Sequence, residues 1–374
     1  MTALEHITVV DLTRLLPGAA ATQMLAAFGA RVIKIEQPGL GDYARHGFGT
    51  KGVNPLFLET NRNKQSIAID LKLDKGKKIL RDLAERADIL VEGFRPGVMD
   101  RLGLGYSALA AINPRLIYVA LTGYGQTGEY SQIAGHDLNY LAMAGVLNEI
   151  GSTDAPAMAN VQFADIAGGS HQVVMGALIA LEARHRTGLG QFVDVSMMDG
   201  VTSLLPVPYS MHKNGQAPER GNELLSGRYA CYNIYRTSDD RWITVGALEQ
   251  KFWAALCSEL ECPELIAEQF APEPRQSEIK SKLASIFVTH TAHDWFERLR
   301  DKDCCVAPVR TIEEVHNDPH FATHPIGAGP KLSATPAAYQ SKPPALGEHT
   351  RAVLDELGYT GAQVADFMQA GVIE

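Results

Sequence analysis

His136 and Asp165 stand 29 residues apart, and each introduces an apolar stretch with helical spacing. The first segment is Gly135-His136-Asp137-Leu138-Asn139-Tyr140 and the second is Ala164-Asp165-Ile166-Ala167-Gly168-Gly169. Residues 137–145 and 165–184 both carry apolar side chains at i, i+3 and i+4, so each reads as a helix with an acid at its start. An acid there is also an ordinary cap, and either residue taken singly has that second reading. Gly135 before the histidine and Gly168-Gly169 after the aspartate let another chain or a ligand approach the backbone closely. A neutral-range base and a carboxylate facing one small site can move a proton on and off a carbon from opposite sides.

Such a site needs a scaffold, and the pattern along the chain supplies one. Residues 7–11, 31–36, 66–71, 89–92, 116–122 and 191–196 read as strands, with helices over 19–28 and 75–86 between the early ones. Strands separated by helix-length segments argue for a Rossmann-like parallel sheet with helices on its faces, an α/β class. Pro17-Gly18 stands where a turn precedes the first helix, and the dinucleotide fingerprint GxGxxG is missing there. After residue 196 a helical stretch runs to about residue 213. Residues 214–227, rich in Gly, Asn and Glu, read as a linker. Then a hairpin over 229–235 and 242–246, with helices over 250–260, 277–288 and 292–300, suggests a smaller α+β domain. The expected organisation is a large domain over 1–213, the linker 214–227, the small domain 228–320 and a return linker 321–347. The end, 348–374, is read as two short helices, 350–357 and 362–370, completing the large domain.

Composition narrows the partners. The 374 residues carry a formal net charge of −9 with no long basic block, so nucleic acid is not an expected partner. Five cysteines, with no CxxC pair, point to a reducing compartment rather than a disulfide framework or zinc site. The start lacks a basic segment followed by an apolar core, and the apolar helices read as broken by polar residues before membrane length. The expectation is a cytoplasmic protein without a membrane partner. His316 and His320 have a ligand-like spacing, but no third ligand motif lies nearby and no metal is expected. Cys305 reads as a small buried apolar residue.

The ordered series of segments resembles one superfamily from end to end. It runs from Ile7-Thr8-Val9-Val10-Asp11-Leu12 and Phe28-Gly29-Ala30 through Asn61-Arg62-Asn63-Lys64, Gly93-Phe94-Arg95-Pro96-Gly97 and Gly123-Tyr124-Gly125-Gln126-Thr127-Gly128 to Thr187-Gly188-Leu189-Gly190-Gln191. The chain is similar to the family III CoA-transferases and α-methylacyl-CoA racemases. That resemblance implies an interlocked homodimer and an acyl-CoA substrate, with coenzyme A as part of the thioester and no tightly bound cofactor. Coenzyme A needs guanidinium or ammonium groups for its phosphates and an apolar slot for its arm. Lys72, Phe94, Arg95 and Arg101 match the family's CoA-contacting positions, and Pro96 is placed to open a helix whose N–H groups suit a phosphate. Gln37 departs from the arginine common there, and Arg45 is a candidate to supply that contact instead. Within the superfamily, Gly135–Tyr140 matches the racemase pattern, in which Tyr140 closes the motif; many transferases carry Tyr at the position of His136. Val245-Gly246-Ala247-Leu248-Glu249 resembles the racemase segment whose glutamate partners the histidine. The implied chemistry removes the hydrogen α to a thioester. His136 is the base, Asp165 the acid on the opposite face, and Glu249 steadies the imidazolium. The backbone N–H of Asp137 is a donor to the enolate oxygen. The alternative is CoA transfer between carboxylic acids through an aspartyl-CoA thioester on Asp165.

Overall fold

Six strands, most of them rich in Val, Ile and Leu, are β1 (Thr8–Leu12), β2 (Arg31–Glu36), β3 (Lys64–Ala68), β4 (Ile89–Glu92), β5 (Ile117–Thr122) and β6 (Phe192–Ser196). The computed structural model describes residues 2–47, 52–321 and 327–374. All six strands pair in parallel, in the order β3-β2-β1-β4-β5-β6. Strands buried on both faces read as nearly continuous apolar runs, which is why β4 and β5 show no alternation. The strand order reverses between β1 and β4, and a crevice opens at the carboxyl ends of strands at such a point.

The two faces of the sheet carry different cargo. On one, Val10, Ile33, Ile67, Leu90 and Tyr118 pack with the helix Asp74–Arg86 and the C-terminal helices Thr350–Leu357 and Gly361–Gln369. Period-two alternation turns Asp11 to the other face, where Thr22 of helix α1 (Leu15–Ala27) donates a 2.6 Å hydrogen bond to it. α1 begins four residues earlier than the sequence suggests and takes Pro17 into its first turn. The amide nitrogens of a first turn have no intrahelical acceptor, so proline costs no hydrogen bond there.

A buried charged network fixes the loop between β1 and α1. Lys34, fully buried, donates to the carbonyl of Thr13 at 2.8 Å and pairs with Asp42 at 2.8 Å. Asp42 accepts the Leu15 N–H at 2.9 Å. Lys64 reaches Asp11 at 3.2 Å. Burial alone would raise the Asp11 carboxyl, but Lys34, then Lys64, outweigh it and hold it down at about 2. Leu15 sits at φ 61°, a left-handed conformation costly for leucine, and the bonds on either side hold it there.

Ala164–Thr187 is one continuous helix of 24 residues, long and apolar enough to cross a bilayer, contrary to the expectation from sequence. Val173, Ala177, Ala180 and Leu181 are buried along it, as in a core helix.

The chain clusters into two compact units, Met1–Val146 with Asn160–Leu205 and Ala322–Glu374, and Leu147–Ala159 with Pro206–Phe321. The second unit differs from the expected division by taking residues 147–159 and the helix Pro206–Lys213. The expected helical run to residue 213 breaks after the helix Met197–Thr202. In the second unit β7 (Tyr232–Arg236), β8 (Trp242–Gly246) and β9 (Val306–Pro308) form an antiparallel sheet over a core of Trp253, Phe287 and Trp295. β9, three residues long, was not legible as a strand.

Candidate active site

A cavity of about 960 Å³ opens at the carboxyl ends of β1, β4 and β5 in the first unit, at the point where the strand order reverses. Thr13 and Arg14 enter it from β1, Gly93, Phe94 and Arg95 from β4, and Gly123 and Tyr124 from β5. His136, Tyr140 and Asp165 line the same cavity.

His136 stands at the cap position of the helix Asp137–Met143, with its imidazole exposed. Its N–H donates to Asn139 Oδ1 at 3.0 Å, and its carbonyl accepts the Asn139 N–H at 2.8 Å, so the asparagine of the motif fixes the backbone that carries the histidine. Tyr140 donates its hydroxyl to the Gly135 carbonyl. The ring packs so closely that a Cβ at Gly123 would lie 2.3 Å from it, which explains that glycine by close approach alone. Burial, reinforced by Asp165, pushes the Tyr140 phenol up to about 12, with Arg95 opposing; the phenol stays a donor at neutral pH.

The two motifs meet through Asp137. Its Oδ1 accepts the backbone N–H of Asp165 at 2.9 Å. The Asp137 N–H, in the first turn, has no acceptor among the described residues. Asp165 lies in a π-helical turn, Ala164–Ser170, that leads into the helix His171–Thr187. Such wide turns recur at functional sites because they re-aim a side chain within a helix. Burial, and then the neighbouring Asp137 carboxylate, push the Asp165 carboxyl from 3.8 up to about 7. It can therefore hold a proton at neutral pH or release one.

Gly168 and Gly169 serve packing rather than a ligand. A Cβ on Gly168 would lie 2.4 Å from the Met197 carbonyl, and one on Gly200 would lie 2.2 Å from the Gly168 carbonyl. The close approach they permit is taken by the helix Met197–Thr202 of the same chain.

Of the CoA-binding positions expected from sequence, Phe94 and Arg95 line the cavity, as does Tyr140. Lys72, Arg101 and Gln37 lie beyond its lining, although each follows a strand at the same edge of the sheet. Pro96 does not open a helix: the short turn Val98–Arg101 starts after Gly97, which is at φ 81°. Arg45 does not stand in for an arginine at the position of Gln37, because its guanidinium is already committed. It is buried, bonded to both oxygens of Glu36 at 2.6 and 2.7 Å, and stacked 3.8 Å from the Phe57 ring centre. Glu249, in the second unit, stands at the N-cap position of the helix Gln250–Glu259, just after β8, and its side chain makes no capping bond. Cys305 is exposed and left-handed at φ 50°, whereas its neighbour Cys304 is the buried one. Arg14, Tyr43 and His46 also line the cavity, and sequence alone did not single them out. Arg14 was findable as the cation at the carboxyl end of β1; Tyr43 and His46 gave no signal.

Comparison with known proteins gives one consistent result. The family model described as CoA-transferase family III matches residues 4–350. The chain is 37% identical to the human protein named alpha-methylacyl-CoA racemase, covering 100% of this chain and 98% of that one. It is 32% identical to the mouse succinyl-CoA:glutarate CoA-transferase, covering 100% and 91%. Among solved structures it resembles a CAIB/BAIF family protein from Brucella suis at 30% identity and a TM-score of 0.83, covering 95% and 99%.

Proposed function

The chain belongs to CoA-transferase family III, and from that premise we propose that it interconverts the (2R) and (2S) forms of 2-methylacyl-CoA thioesters by 1,1-proton transfer. The observation that carries this reading is a histidine and an aspartate in one cavity, with the aspartate pushed up to about 7. Neutral His136 removes the α-hydrogen of one enantiomer while protonated Asp165 supplies a hydrogen to the other face. The reverse direction exchanges the roles. The unused N–H of Asp137 takes the enolate oxygen. Phe94 and Arg95 hold the coenzyme A portion, with Lys72 and Arg101 reserved for its more distant phosphates. Glu249 steadies the imidazolium, and two copies of the chain interlock as a dimer. A fully active monomer in sedimentation at working concentration would remove this last part.

The competing reading is CoA transfer, which the name of the mouse relative puts within the family's range. It uses Asp165 as a nucleophile that carries CoA as a thioester in every turnover, and hydroxylamine or borohydride would trap that species. As a proton carrier, Asp165 is never acylated. Mass spectrometry on enzyme quenched during turnover is expected to find no adduct on the peptide bearing Asp165. An adduct there, with CoA moved to an added free acid, would assign the chain to the transferases.

A further inference from the structure

Arg14 is a second guanidinium in the cavity, and neither the proton transfer nor the CoA-binding set uses it. It sits between two aromatic rings, with the guanidinium carbon 4.9 Å from the Tyr43 ring centre and 5.3 Å from that of Phe94. One N–H donates to the Tyr43 hydroxyl at 3.1 Å. Among the described residues no carboxylate pairs with it, and no other acceptor takes its remaining N–H groups. Its backbone is held firmly. Lys34 clamps the carbonyl of Thr13 on one side, Asp42 clamps the N–H of Leu15 on the other, and Leu15 is kept left-handed. Arg14 also stands at the N-cap position of α1, whose N-terminal residues Leu15 to Gly18 line the cavity and add the positive end of a 13-residue helix.

A half-buried guanidinium held over aromatic rings, with open donors and beside a helix N-terminus, is built to receive a planar oxyanion in a bidentate manner. We propose that Arg14 determines specificity by binding a carboxylate on the acyl chain, so that the preferred substrates are 2-methylacyl-CoA thioesters of dicarboxylic acids. This rests on the racemase reading for the reaction and on the cavity alone for the recognition.

The two are tested separately by measuring binding as well as turnover. The probes are 2-methylglutaryl-CoA, esterified at the carboxyl next to the methyl-bearing carbon, and 2-methylhexanoyl-CoA, of similar length with no second carboxylate. Coenzyme A alone serves as the third ligand. The wild-type protein is expected to bind the first thioester at least about tenfold more tightly than the second, the effect of one charge-assisted pair. Arg14→Gln is expected to erase that ratio and Arg14→Lys to restore part of it, with unchanged thermal melting showing that both variants fold. No preference in the wild type would overturn the proposal. An equal loss of affinity for all three ligands in Arg14→Gln would also overturn it, by assigning the guanidinium to the phosphates of coenzyme A. A preserved binding preference without α-hydrogen exchange in either thioester would sink the racemase reading and leave the role of Arg14 standing.

Discussion

His136→Ala is expected to lower racemisation in both directions by about 10²–10⁴-fold, the usual contribution of a positioned acid or base. Racemisation needs both groups in each direction, one to remove the hydrogen and one to deliver it. Hydrogen exchange on a single enantiomer needs only the group on its own face. In deuterated water, His136→Ala is therefore expected to keep slow exchange of one enantiomer, and Asp165→Ala to keep that of the other. The fold supports such separability. His136 is set by Asn139 and Asp165 by a π-helical turn, and the Asp165 N–H bonded to Asp137 joins the two segments. Near-normal racemisation by His136→Ala would refute the assignment of the base.

Asp165→Asn is expected to stabilise the protein above neutral pH. A carboxyl raised from 3.8 to about 7 binds its proton more tightly in the folded than in the unfolded chain. Between those values the folded protein retains a proton that the unfolded one releases, so wild-type stability falls as pH rises from about 4 to about 7 and then levels off. The full shift corresponds to on the order of 4 kcal/mol, and solvent reaching the half-buried group reduces that to on the order of 2 kcal/mol. Asparagine does not titrate in this range and relieves the repulsion from Asp137. The gain in melting temperature is expected to be near zero at pH 4 and several degrees at pH 8. A gain independent of pH, or a loss at pH 8, would contradict the environment described for Asp165. Stability given up at a site that must hold an awkward proton is the usual exchange for activity.

Much of the scaffold was readable because its strands are unambiguous. β2 and β4 match the expected residues at both ends, since each is an apolar run closed by charged or turn residues. The start of α1 was missed because Pro17-Gly18 was read as a turn ahead of the helix, although a first turn tolerates proline. β9 is too short for any period to register, and its pairing with β8 comes from tertiary packing. For the site, His136, Asp165, Phe94, Arg95 and Tyr140 were named from motif and resemblance, and one cavity collects them. Arg14 went unnoticed because an arginine after a strand looks like a solvated end. Only the buried clamps from Lys34 and Asp42, distant in sequence, reveal that its position is fixed. The π-helical turn under Asp165 has no sequence signature of its own, so the raised carboxyl could be expected but not placed.

The most direct measurement of the central claim is incubation of the wild-type protein with one enantiomer of a 2-methylacyl-CoA in deuterated water, with no free acid added. Proton exchange between His136 and Asp165 across an enolate predicts one solvent deuterium at the α-carbon. It also predicts accumulation of the opposite configuration toward an even mixture. Recovery of the starting enantiomer without deuterium, with CoA appearing on a carboxylic acid only when one is supplied, would contradict it.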